Sequence, residues 1–158
     1  MILKVFKSNS PISTVLSLGL LILLWAKSFA GEKATHFLEF GVLYHFDEVL
    51  SSLPQWILLS FSILLIVITA SVLNQIINQD DFFDKNTFLP FVLYFLLMSA
   101  LTTFNTFNSI ILSNFFLVLF LKWAFKIRRQ QDARVIVFNA SLLLSFATLF
   151  FPLYAPLL

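Results

Sequence analysis

Long apolar blocks alternate with short charged ones along the chain. No Asp, Glu, Lys or Arg occurs in 8–26, 49–79, 86–121 or 135–158. A helix rises about 1.5 Å per residue and the hydrocarbon core of a bilayer is about 30 Å thick, so roughly 20 apolar residues cross it. The first, second and fourth blocks each make one crossing. The third would form a helix of about 54 Å, too long for a single span. Its polar stretch Thr102-Thr103-Phe104-Asn105-Thr106-Phe107-Asn108-Ser109 supplies a hairpin turn.

The pattern predicts an all-α polytopic membrane protein with five transmembrane helices, over about 11–29, 54–78, 88–104, 107–126 and 134–155. They form a single membrane domain, 1–158. An outer loop, 30–53, carries a short interfacial helix, and the inner loops are 79–87 and 127–133. Segments such as Ile63-Leu64-Leu65-Ile66-Val67-Ile68 are continuously apolar rather than alternating, which favours helices over a barrel. Pro54 and Pro90 fall in the first turns of their helices, where a missing N–H costs little. Ser52 and Thr87 precede them as N-caps.

Composition agrees with this and narrows the chemistry. Of the 158 residues 59% are hydrophobic and 11% charged, against about 25% charged in a soluble domain. A soluble chain of this size could not cover so much apolar surface, so a cytosolic enzyme, a disordered tail and a nucleic-acid-binding domain are excluded. The absence of Cys excludes disulfides, zinc–thiolate sites and a thiol nucleophile. His36 and His45 are too few for a polyhistidine metal site.

The charges orient the bundle. With the N-terminus inside, Lys4, Lys7, Lys85, Lys122, Lys126, Arg128, Arg129 and Arg134 lie on the inner side, and only Lys27 and Lys33 on the outer. This is the positive-inside bias of a bacterial inner-membrane protein, with a cytoplasmic N-terminus and a periplasmic C-terminus. Trp25 and Trp56 fall at the outer boundary and Trp123 at the inner one, the level of aromatic anchors. The first apolar run is read as an uncleaved helix. Its basic start and Ser28-Phe29-Ala30 before Gly31 leave a signal peptide as the alternative.

Candidate chemistry is confined to two acidic loops. The outer one holds His36, Glu39, His45, Asp47 and Glu48 beside an apolar face. An interfacial helix with its acids in water accounts for them. Membrane glycosyltransferases that use polyprenyl-linked sugars place an acid in their first outer loop, so Asp47 and Glu48 are the catalytic candidates. The inner loop carries Asp80, Asp81 and Asp84 in a D-D-x-x-D pattern. Carboxylates one turn apart can share Mg²⁺, and Mg²⁺ can hold a diphosphate. The stretch, with Asn78 before it, resembles the first aspartate-rich motif of membrane prenyltransferases. Those enzymes have about nine spans and a second aspartate-rich loop, whereas the second inner loop here holds only Asp132.

Other polar residues lie within the spans. Ser13/Ser17, Ser99/Thr103, Ser109/Ser113 and Ser141/Ser145 are spaced by four, so each pair shares a helix face and reads as a packing seam. Asn74, Asn78, Asn114 and Asn139 need partners in lipid. Asn74 and Asn139 both lie toward the inner side and are expected to bond to each other. No ionisable group is placed mid-membrane, which speaks against an ion-coupled pump.

The segments Ser8-Asn9-Ser10-Pro11, Leu73-Asn74-Gln75-Ile76, Asn86-Thr87-Phe88-Leu89-Pro90, Asn114-Phe115-Phe116-Leu117 running to Arg128-Arg129, Phe138 to Leu142, and Phe151-Pro152 follow one another along the chain. In this order they resemble a family of flavobacterial (Bacteroidetes-type) multi-spanning integral membrane proteins of unknown function. Members are longer, with more helices after the Phe-Pro helix, so the resemblance implies that this chain resembles their N-terminal half or is a shortened relative.

The favoured functional reading is a membrane subunit or scaffold that packs with other helices in the bilayer, in envelope biogenesis, with no cofactor and no nucleic acid. The alternative is a Mg²⁺-dependent prenyl or polyprenyl-phosphate transferase or lipid-linked sugar transferase, or a fragment of one. A small-solute transporter is third, and it would show broken helices or midplane charges.

Overall fold

A computed structural model describes residues 15, 19, 22–23, 25–26, 53–79, 87–100, 107–127 and 133–157. Among them there is no strand. Four α-helices follow one another: α1 Gln55–Gln79, α2 Leu89–Ala100, α3 Ser109–Ile127 and α4 Ala133–Phe150. A 3-10 helix, Pro152–Leu157, closes the order. Val15, Gly19, Ile22, Leu23, Trp25 and Ala26 are helical as well.

Among the described residues three helices are long and apolar enough to cross a membrane: α1, α3 and α4. α2 is apolar but shorter, 12 residues or about 18 Å. The predicted span 88–104 runs past its end into 101–104, which lie outside the described residues.

Helix ends follow local chemistry. At the start of α1 the Pro54 carbonyl accepts from the Ile57 amide at 3.0 Å. Pro54 thus stands just before the helix, where its missing N–H is harmless. Asn108 caps α3, its Oδ1 accepting from the Ile111 amide at 3.0 Å. The expected cap on α2 is not made. Thr87 Oγ1 is buried without a partner, and the first turn instead closes on the Phe88 carbonyl, bonded by the Val92 amide at 3.4 Å.

The last predicted span, 134–155, is shorter as an α-helix. α4 stops at Phe150, and the chain continues as the 3-10 turn. Pro152 is the reason: a proline disfavours α geometry in the residue before it and cannot donate to the ladder.

α1 packs against α2 and against α3, and α3 packs against α4. α3 therefore lies between α1 and α4. The core joins Leu59, Leu65, Ile66 and Ala70 of α1 to Phe91, Val92, Phe95 and Met98 of α2, with Trp25, Phe107 and Ile111. Beyond it α1, α2, α4 and the described residues before α1 turn large apolar side chains outward, among them Ile22, Phe61, Leu64, Leu97, Phe138 and Phe146. A water-soluble protein rarely shows so much apolar surface, and a hydrocarbon surrounding is compatible with it.

Candidate functional site

The informative positions are polar residues that the bundle encloses. Trp25 is the largest. The sequence places it as an interfacial anchor, but the structure encloses it completely, at 0% exposure, within the core cluster. Its indole Nε1 donates to Ser99 Oγ of α2 at 3.0 Å. Val15, Ile22 and Leu23 of the same segment point outward. Among the described residues of this segment the aliphatic side chains thus face the surroundings and the tryptophan faces the bundle. A buried indole N–H needs an acceptor, and Ser99 supplies one within the bundle.

Two further bonds tie neighbouring helices. Asn114 Nδ2 of α3 donates to the Tyr94 hydroxyl of α2 at 2.7 Å. Ser113, fully buried, donates to the Ala147 carbonyl of α4 at 2.6 Å. Small residues at 113 and 147 allow that approach. Ser113→Ala is expected to lower the stability of the α3–α4 pair by roughly 0.6 and at most about 1.7 kcal/mol, read as a shift of the unfolding midpoint in detergent. The effect stays small because the Ala147 carbonyl keeps its helix partner, the Phe151 amide.

At the other end Asn78 closes a clamp. Its Nδ2 donates to the Thr87 carbonyl and its Oδ1 accepts from the Thr87 amide, both at 3.0 Å. One side chain therefore joins the end of α1 to the start of α2 and brackets the acidic loop between them. Asp80, Asp81 and Asp84 themselves lie outside the described residues, as do Asp47, Glu48, Ser13, Ser17 and Thr103. Among the described residues no group of His, Cys, Asp or Glu could hold a metal ion.

The expected Asn74–Asn139 bond is not formed. Asn74 Oδ1 is buried with no partner. The cause is topological: α3 separates α1 from α4, so equal depth does not bring the two amides together. Since this amide carries an orphan acceptor, Asn74→Leu is expected to be neutral or stabilising, by about 1 kcal/mol. Thermal unfolding in detergent checks it, and a loss of stability would show that the amide holds a bond. Ser109 Oγ is likewise buried without a partner.

Ser141 and Ser145 do not form a seam within the chain. Both are exposed and bond to their own helix, Ser141 to the Phe138 carbonyl and Ser145 to the Ser141 carbonyl, each at 2.9 Å. Together with Phe138, Leu142, Phe146 and Leu149 they line a shallow trough along the outer face of α4.

The ends of α1 and α3 carry further polar contacts. Lys122 Nζ donates to Gln75 Oε1 at 2.9 Å. Lys126 Nζ lies 5.0 Å from the centre of the Trp123 ring, a cation–π arrangement. Trp56 is exposed one residue into α1.

No protein-family model, no curated protein and no solved structure matches the chain. The functional reading therefore rests on the residues themselves.

Sequence reasoning missed the inward turn of Trp25 and the Asn78 clamp. The first has no signature in an apolar run. The second had one: an Asn in the last turn of α1 and an N–H left open at the start of α2 are natural partners across a short loop.

Proposed function

We propose that the chain is a multi-pass protein of the bacterial inner membrane that serves as a helical subunit or scaffold, packing with other membrane helices in envelope biogenesis. It has a cytoplasmic N-terminus and a periplasmic C-terminus and is related to the flavobacterial family it resembles. The observation that carries the reading is the use made of its interior polar groups. Trp25–Ser99, Asn114–Tyr94 and Ser113–Ala147 all link one helix to another. Such bonds hold a bundle in a fixed arrangement and present a defined outer surface to other helices. The first helix belongs to that arrangement through Trp25, which favours its retention over cleavage.

The test is the size of the native assembly. Extraction in mild detergent with chemical cross-linking is expected to yield a stable complex well above the 18.1 kDa of one chain. A monodisperse monomer that cross-links to nothing would overturn the reading.

A further inference from the structure

We infer that the outer face of α4, with the facing end of α3, is a binding site for an acidic glycerophospholipid. Its phosphate sits between Lys126 and Arg134, and one acyl chain lies in the trough of α4.

The placement follows from helix register. Ser113 meets Ala147, and the Phe116 ring stacks on Phe146 at 5.5 Å and on Phe150 at 5.6 Å. These contacts fix α3 and α4 as antiparallel neighbours. The same register continued to their other ends brings Lys126 level with Arg134. Both side chains are exposed. The Lys126 ammonium is held over the Trp123 ring, an uncharged partner.

Arg134 also shares a helix face with the trough. Arg134, Phe138, Ser141 and Ser145 recur at spacings of four, three and four. The cation therefore closes one end of an apolar channel lined by Phe138, Ser141, Leu142, Ser145, Phe146 and Leu149. From Phe138 to Leu149 the channel runs about 16 Å, close to the roughly 15 Å of one leaflet. Both serine hydroxyls are bonded to their own helix, so an acyl chain strands no polar group.

Charge complementarity selects the occupant. Residues 122–134 hold Lys122, Lys126, Arg128, Arg129 and Arg134 against Asp132 alone, and α4 itself has no acid. An anionic headgroup above an apolar tail matches cations above an apolar trough. In sequence the acids Asp80, Asp81 and Asp84 follow the end of α1. Basic pockets between membrane helices on the cytoplasmic side bind acidic headgroups on this principle.

Trp123 reports on the site. The full chain carrying Trp56→Phe is reconstituted in vesicles, which leaves the enclosed Trp25 and the rim Trp123 as its indoles. Brominated phosphatidylglycerol is expected to quench fluorescence at several-fold lower lipid fraction than brominated phosphatidylcholine, about fivefold for each cation engaged. Lys126→Gln with Arg134→Gln is expected to bring the ratio to one. Ser145→Phe, which fills the trough and leaves the cations, is expected to reduce the preference, whereas Ser145→Ala keeps it. Inorganic phosphate is expected not to relieve the quenching. Equal quenching by the two lipids in the parent chain would overturn the inference, whether because the trough holds another helix or because it holds no lipid specifically. A preference that survives the double substitution, or relief by inorganic phosphate, would overturn it too.

Discussion

Trp25→Ala is expected to be the most damaging single substitution, lowering stability by about 2–4 kcal/mol. Truncating a buried Phe or Trp costs about 3–5 kcal/mol in water-soluble cores. Part of that is transfer of apolar surface to water, which is smaller here because a membrane helix that leaves the bundle meets hydrocarbon. What remains is the lost dispersion contact around an empty space the size of an indole, plus the Ser99 hydroxyl left without its donor. Trp25→Phe separates the two contributions. It keeps most of the packing and loses the Nε1–Ser99 bond, so it is expected to cost roughly 0.6 and at most about 1.7 kcal/mol. Reversible unfolding in mixed micelles checks both. Equal stability of Trp25→Ala and the parent would place Trp25 outside the core.

Asn78→Ala is expected to cost about 2–3 kcal/mol. The side chain makes two bonds, each worth about 1 kcal/mol, and its removal leaves the Thr87 amide and carbonyl unpaired in a buried setting. The consequence is local. α1 and α2 keep their core contacts through Leu65, Ile66, Phe91 and Phe95, while the acidic loop loses the tie at its base. Hydrogen exchange is the fitting measurement. Amides at the start of α2 are expected to exchange faster in Asn78→Ala, whereas those of α4 stay as protected as in the parent. Asn78→Asp keeps the acceptor for the Thr87 amide and loses the donor, so it is expected to fall between the two. Unchanged exchange at the start of α2 would show that the clamp is not formed in the bilayer.

Much of the architecture was legible because charge is excluded from hydrocarbon. The predicted spans match α1 and α3 to within two residues, 54–78 against Gln55–Gln79 and 107–126 against Ser109–Ile127. The end of α4 shows where that signal stops. Apolarity continues to Leu158, but backbone geometry at Pro152 ends the α-helix earlier. Which way a side chain faces was far less legible. In water a helix marks its buried side by contrast with a polar one, whereas in lipid both sides are apolar. Trp25 therefore reads alike whether it meets lipid or protein. The amides show the same loss of information. Depth along the helix suggested Asn74 with Asn139, but the order of helices decided it, and Asn114 found Tyr94 while Asn74 found none. Serines at four-residue spacing likewise divide in the structure: Ser113 faces a neighbouring helix, and Ser141 and Ser145 face away.

The central claim is that α1, α3 and α4 cross a bilayer with the Lys- and Arg-rich end on the cytoplasmic side. The chain has no cysteine, so single cysteines report position without interference. Leu53→Cys precedes α1, Gln79→Cys ends it, Ala133→Cys begins α4, and Ile66→Cys lies buried within α1. A membrane-impermeant maleimide applied to sealed, right-side-out vesicles is expected to label Leu53→Cys at once. It is expected to label Gln79→Cys and Ala133→Cys only after permeabilisation, and Ile66→Cys not at all. Labelling of Leu53→Cys and Gln79→Cys from the same side would contradict the account, because α1 would then not cross.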